Sequence, residues 1–302
     1  KASNSCRKGI AKIAAGSYHT CFLLTYGEAK CVGRNEYGEL GDSSTTPEQA
    51  FPVSVVDANG DILGGITQIA AGSEHTCFLF EDDTAKCTGR NNKGQLGNGT
   101  NDNKTTPVSV VDANGDILGD ITQIAAGQNH TCFLFEGKTA KCTGNNNKGQ
   151  LGRGSNNQKP SKIPVPVVAG EYANPKDASG NLNTITHITA GWEHTCFLLS
   201  DGTAKCTGSN DKNQLGRLSL IWNYRTPVFI WRFNRGTPLK SRLKDVTQID
   251  AGGEHTCFLK SHGIAICIGA YAYGQLGHGS VSRTNSSMPY NPSSINLHFS
   301  TK

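Results

Sequence analysis

The sequence has no apolar run approaching the ~20 residues of a membrane-spanning helix, no long helix-period pattern, and a single methionine among 302 residues. It lacks a glycine-rich phosphate loop, a G-x-S-x-G elbow and any carboxylate pair recurring outside turns. No catalytic set emerges, and the chain reads as a non-enzyme that needs no cofactor and no metal. Its net charge is only +5, and Lys and Arg are mostly scattered singly in turns. That pattern favours solubility over a nucleic-acid surface. No signal peptide is visible, and a chain opening at Lys1 fits a mature form whose signal has been removed. Apolar residues reach only 36% and aromatics 7%. With abundant Gly, Asn and Thr, this argues for many short strands joined by tight turns.

What is present is a repeat. GSYHTCFLLTYGEAKCVG from Gly16 returns as GSEHTCFLFEDDTAKCTG from Gly72 and GQNHTCFLFEGKTAKCTG from Gly127. It returns again as GWEHTCFLLSDGTAKCTG from Gly191 and GGEHTCFLKSHGIAICIG from Gly252. Each copy follows an apolar stretch such as ITQIAAG and precedes a G-x-L-G or NQLG turn; four then show a Pro-Val strand start at Pro52, Pro107, Pro166 or Pro227. The histidines lie 56, 55, 64 and 61 residues apart. Each unit reads as four strands, of the types ITQIA, HTCFLF, TAKCTG and PVSVV. Four short strands per repeat of this length is the pattern of a propeller blade. The expected fold is all-β, one propeller domain over 1–302, with repeats near 10–61, 62–116, 117–181, 182–243 and 244–300. A five-bladed ring is favoured, because the chain opens on a strand one and ends on a candidate strand four; the alternative is part of a seven-bladed ring.

Ten of the eleven cysteines test the register. Cys21/Cys31, Cys77/Cys87, Cys132/Cys142, Cys196/Cys206 and Cys257/Cys267 are each ten residues apart. An even separation places both directly opposite in a hairpin with a three-residue loop. Gly in third place, as in Ser200-Asp201-Gly202, suits a type I turn followed by a left-handed residue. Counted outward, the cysteines fall on a non-hydrogen-bonded pair, with Cα atoms about 4.5 Å apart, inside the disulfide range. Zinc would need two close pairs converging on one ion, and each pair here belongs to a separate blade. Five disulfides imply an oxidising compartment, hence a secreted or cell-surface protein. Cys6 is left over, as a free thiol or a link elsewhere.

AAG-x-x-H-T, the D-G or Y-G hairpin, C-x-G-x-N, and GQLG followed by Pro-Val resemble the regulator of chromosome condensation family of propellers. The cysteine-bearing version resembles its secreted branch. The resemblance implies a propeller, usually of seven blades. The founder's nucleotide-exchange activity is a less favoured implication, because it belongs to the cytosol or nucleus and its loops find no match here.

His19, His75, His130, His194 and His255 come once per blade. A metal or anion ring is one reading; the other is that each imidazole ties down its own turn through backbone hydrogen bonds. Repetition favours the structural role. Asp57-Ala58-Asn59-Gly60-Asp61, repeated from Asp112, resembles the start of a calcium loop but lacks the later ligands, and Asn-Gly between apolar runs is a hairpin signal. Asn98, Asn103 and Asn285 fit loop glycosylation sequons; Asn129 fits too, in a structural turn. The repeats diverge most after blade four. There Trp222, Tyr224, Arg225, Trp231, Arg232, Phe233 and Arg235 form an aromatic–basic segment of the residue types that dominate binding hot spots. The favoured function is therefore a secreted, non-enzymatic protein-binding or assembly module, with a protein partner and no membrane insertion. A lectin using Asn91-Asn92-Lys93 and Asn145-Asn146-Asn147 is the alternative, and a channel-sited enzyme the least favoured.

Overall fold

A computed structural model of the chain describes residues 9–154, 158–169, 184–216, 223–232, 241–277 and 293–295. Every regular element among them is a β-strand. Blade one holds β1 (Ile10–Ala15), β2 (His19–Leu24), β3 (Ala29–Arg34) and β4 (Glu48–Ser54). Blade two holds β5 (Ile66–Ala71), β6 (His75–Phe80), β7 (Ala85–Gly89) and β8 (Lys104–Ser109). Blade three holds β9 (Ile121–Ala126), β10 (His130–Phe135), β11 (Ala140–Gly144) and β12 (Ser161–Pro166). Blade four holds β13 (Ile185–Ala190), β14 (His194–Leu199), β15 (Ala204–Ser209) and β16 (Asn223–Phe229), followed by a small hairpin of β17 (Trp231–Arg232) and β18 (Ser241–Arg242). Blade five holds β19 (Val246–Ala251), β20 (His255–Lys260), β21 (Ala265–Gly269) and β22 (Ser293–Ile295). The blades are five four-stranded sheets with strands in chain order. The expected all-β, four-strand repeat is therefore what the chain forms.

Strand four starts earlier than the Pro-Val signal suggests: β8 begins at Lys104, three residues before Pro107. It is the edge strand of its sheet, so the proline's missing N–H removes no ladder bond on the outer side. The hairpins follow the expected register. Cys21 lies opposite Cys31 and Cys77 opposite Cys87, and Cα–Cα distances are 4.1 Å across both bridges. The same spacing holds at Cys196–Cys206 and Cys257–Cys267, and Cys132 and Cys142 are disulfide-bonded as well.

The chain forms two compact units, dividing within blade three. In the first, Cys21, Leu23, Ala29 and Cys31 of blade one pack against Ile66, Ile69, Phe78 and Phe80 of blade two. One step on, Cys77, Leu79, Ala85 and Cys87 pack against Ile121, Ile124 and Phe133. In the second, Cys196, Leu198, Ala204 and Cys206 pack against Val246, Ile249 and Phe258. Each of these bridges thus lies on the face of its blade that the following blade covers. This double-sided burial is why β6 and β14 are buried at every residue instead of alternating.

The glycine before each histidine has a steric reason. A Cβ on Gly72 would collide with the ring of His75 and with the carbonyl oxygen of Gly127 in the next blade. Gly72→Ala is expected to cost about 2 kcal/mol through overpacking, read as a lowered urea midpoint with unchanged slope.

Candidate functional site

Four of the five repeated histidines are buried, which removes them from surface chemistry: His19 is 3% exposed, and His75, His130 and His194 are 0%; His255 is half-buried. At His19, His75 and His194 the imidazole bonds the next blade and not its own turn. The His19 Nε2 lies 2.8 Å from the Thr76 hydroxyl of the next blade, and that hydroxyl donates to the Glu39 carbonyl at 2.6 Å. The link recurs as His75–Thr131–Gln95 and as His194–Thr256–Gln214. Because each threonine spends its proton on a carbonyl, its oxygen must accept from Nε2–H, which fixes the tautomer. Nδ1 is then a bare acceptor, and no donor reaches it at His19, His75 or His194. Burial holds His19 at about 4. Burial holds His75 at about 3, with repulsion from His19 adding to it; His194 is likewise held at about 3 by burial and His255. His19, His75 and His194 are inter-blade pins. Their signal in the sequence was the threonine that follows every one of them.

The asparagines of the C-x-G-x-N motif are pins of a second kind. Asn91 accepts from Leu96 N–H and donates to Asn98 Oδ1 and the Thr100 carbonyl. Asn146 accepts from Leu151 N–H. Asn91, Asn145 and Asn146 are buried, so much of the polar set considered for carbohydrate is committed to holding turns. The side chain two residues after this motif's turn repeats too: Gln95, Gln150 and Gln214 accept the N–H of Lys93, Lys148 and Lys212. Blade one places Glu39 there, accepting from Tyr37 N–H. It is fully buried, its Oε1 has no partner, and burial pushes its carboxyl above the usual carboxylate range. A raised acid weakens the fold as pH climbs through that range. Glu39→Gln is expected to stabilise by about 1 kcal/mol at pH 7, with the gain vanishing near pH 4; paired urea titrations check both values.

The Asp57 loop is a turn. Asp57 Oδ1 accepts from the backbone N–H of Asn59 and Asp61, and Val56 bridges Ile62. Asp112 repeats it. Among the described residues, no His/Cys/Asp/Glu group has metal-site geometry.

The aromatic–basic segment divides into root and tip. Tyr224 and Phe229 are buried and belong to β16, so two of its aromatics are core. Arg225 is half-buried, with its backbone against Gly149. The Phe229 ring is held between the Lys205 ammonium at 4.4 Å and the Arg242 guanidinium at 3.9 Å. Lys205 also donates to the Ala169 carbonyl at 2.8 Å. Burial, then Arg242, lowers it to about 8 against the pull of Asp201. Trp231 and Arg232 pair with Arg242 and Ser241 as β17 and β18. This hairpin occupies the linker position that Asp57–Asp61 fills after blade one. Trp222, Phe233 and Arg235 lie outside the described residues, as do Cys6 and Asn285. Asn98 is half-buried and Asn103 exposed, both in the loop after GQLG.

Two exposed aromatic features were not singled out from the sequence. In unit one, Arg34 sits 5.3 Å from both the Tyr18 and Tyr37 rings, Arg90 sits 4.9 Å from Tyr37, and Glu74 bridges the two guanidiniums. In unit two, Trp192 is 49% exposed and lies over Gly253, which has no side chain to displace it. The only sequence signal was that these positions break the repeat.

The profile of the RCC1-like domain family matches residues 1–300. The ultraviolet-B receptor UVR8 of Arabidopsis thaliana is 29% identical over 275 residues, covering 89% of this chain and 55% of the receptor. The regulator of chromosome condensation of Drosophila melanogaster is 26% identical over 281 residues, covering 89% of this chain and 46% of that protein. The chain thus spans about half the length of these curated relatives. Among solved structures, human WBSCR16 superposes with a TM-score of 0.72 at 18% identity, covering 95% of this chain and 67% of that one. Yeast RCC1 (Prp20) bound to Kap60 superposes with a TM-score of 0.69 at 20% identity, covering 95% and 64%.

Proposed function

Because this chain belongs to the RCC1-like domain family, we propose that it is a secreted, non-enzymatic propeller that binds a protein partner through the segment after blade four. The observation that carries this reading is the clamp of Lys205 and Arg242 on Phe229. It fixes the root of a hairpin that interrupts the repeat, and an ordered root lowers the entropic cost of presenting a tip. Solved relatives support a protein partner by analogy: yeast RCC1 was crystallised with Kap60, and Prp20p was studied for binding to Gsp1p and histones. Ten disulfide-bonded cysteines suggest an oxidising environment, and secretion extends that observation. Among the described residues, no helix is long and apolar enough to cross a membrane.

The test is capture by the immobilised oxidised chain from the medium of its own source cells, with Arg225→Glu/Arg242→Glu beside wild type. At least tenfold weaker recovery of a saturable partner is expected for the variant, with Lys86→Glu as an unaffected control. Equal recovery by both variants overturns the assignment to this segment.

A further inference from the structure

The chain has three Asn-Gly dipeptides, at Asn59-Gly60, Asn98-Gly99 and Asn114-Gly115. Glycine has no side chain to shield its amide nitrogen, so that nitrogen can reach the side-chain carbonyl carbon of the asparagine before it. Closing a ring there needs an asparagine amide with no other task, a releasable Gly N–H and a backbone free to turn. The fold supplies these conditions at two of the dipeptides and withholds them at the third.

Asn59 and Asn114 sit at the tips of equivalent turns in successive linkers. Both asparagines and both following glycines are exposed, and a Cβ on Gly60 or Gly115 would meet nothing within 4 Å. Asn114 lies between blades two and three and is exposed as Asn59 is, so the exposure belongs to the turn itself. The turns are held by backbone bonds: Asp57 Oδ1 accepts from Asn59 and Asp61 N–H, and Asp112 Oδ1 from Asn114 and Asp116 N–H. Among the described residues, neither asparagine side chain makes a hydrogen bond. Gly60 and Gly115 N–H donate to the Asp57 and Asp112 carbonyls at 3.1 and 3.3 Å. Donor and acceptor lie in the same exposed tip, so fraying of one turn releases them.

Asn98 has the same dipeptide without this freedom. It is half-buried, and its Oδ1 accepts from Asn91 Nδ2, Thr100 N–H and the Thr100 hydroxyl at 3.0–3.2 Å. Asn91 is itself fully buried. Gly99 N–H donates to the Lys162 carbonyl at 2.9 Å, on β12 of the following blade, so its release breaks an inter-blade bond.

We propose that Asn59 and Asn114 are sites of spontaneous deamidation, and that the fold protects Asn98. The Gly60 nitrogen gives its proton to hydroxide and attacks Asn59 Cγ. A new C–N bond closes a succinimide, and Nδ2 takes a proton from water and leaves as ammonia. Water then adds to one imide carbonyl and opens the ring to aspartate or isoaspartate. No electrons are transferred, and each event adds one negative charge to a turn that already holds two aspartates. Asn114 follows the same course through Gly115. Because neither amide supports its turn, the blades survive the change. The proposal is independent of the role of the hairpin after blade four.

The test incubates the intact, oxidised chain, made in a host that does not glycosylate sequons, in mildly alkaline buffer. Peptide mapping by mass spectrometry follows each asparagine. Asn59 and Asn114 are expected to convert at least tenfold faster than Asn98, the difference being the structural opening that Asn98 alone requires. Their products should include isoaspartate, which direct hydrolysis of the amide does not give. In the reduced chain unfolded in guanidinium chloride, the three rates should converge to within about threefold, because the dipeptide is the same. Asn98 converting as fast as Asn59 in the folded chain overturns the proposal. So does conversion of Asn59 and Asn114 that begins only on unfolding, or an Asn98 that stays slow in the unfolded chain.

Discussion

Lowering the pH from 7 to 4.5 is expected to remove most of this protein's stability, at up to about 4 kcal/mol per pH unit once the buried imidazoles are driven toward protonation. His19 is held at about 4, and His75 and His194 at about 3. In the unfolded chain the same groups return to about 6.5. Between those values the unfolded state binds protons that the folded state refuses. Stability fully present above about pH 6.5 is therefore lost as the pH falls. The refusal has a structural cause. Nε2–H is already committed to a threonine hydroxyl, and a proton added at Nδ1 would point where the fold offers no acceptor. Urea midpoints at pH 7, 6, 5 and 4.5 measure the slope, and His75→Gln should reduce it by roughly a third. A midpoint flat to pH 4.5 would show that these imidazoles do not resist protonation as described.

Thr76→Val should cost about 3 kcal/mol, although it removes no volume. The hydroxyl is fully buried and joins the His19 imidazole to the Glu39 carbonyl. Valine fills the same space and strands a donor and an acceptor together, each costing about 1–3 kcal/mol when desolvated and unpaired. Thr20→Val is the internal control. It should change the stability by less than about 0.5 kcal/mol, because among the described residues its hydroxyl has no such partners. Equal losses for both variants would place the energy in strand propensity instead of the inter-blade pin.

The parts legible in the sequence are those set by contacts within about ten residues along the chain. Cys21 opposite Cys31, with Gly27 in the left-handed turn position at φ 81°, follows from counting out of a three-residue loop. The Asp57 loop was legible as a turn for the same reason. The histidines were placed correctly as structural, yet their bonds were assigned to the wrong element, since the accepting threonine lies 57 residues on from His19. Pattern within one repeat cannot say which neighbour a side chain reaches. The blade-four segment was harder still: Tyr224 and Arg225 look equivalent as binding residue types, and only packing separates a buried Tyr224 from a half-buried Arg225.

The sequence by itself determined the repeat, the four-strand blade and the hairpin register of the disulfides. Each of these is fixed by local spacing and turn chemistry that recur five times. Tertiary structure alone decided how one blade uses the next: the imidazole-to-threonine pins, the burial of the disulfides under the following strand one, and the choice of aromatics that become core. It also separated Ile10 from Ile66, two isoleucines in nearly identical strands. Ile66 is 3% exposed and packs against Cys21 and Leu23 of blade one, and Ile10 is 57% exposed. That difference lies in contact between repeats, about which the residues of a single repeat carry no information.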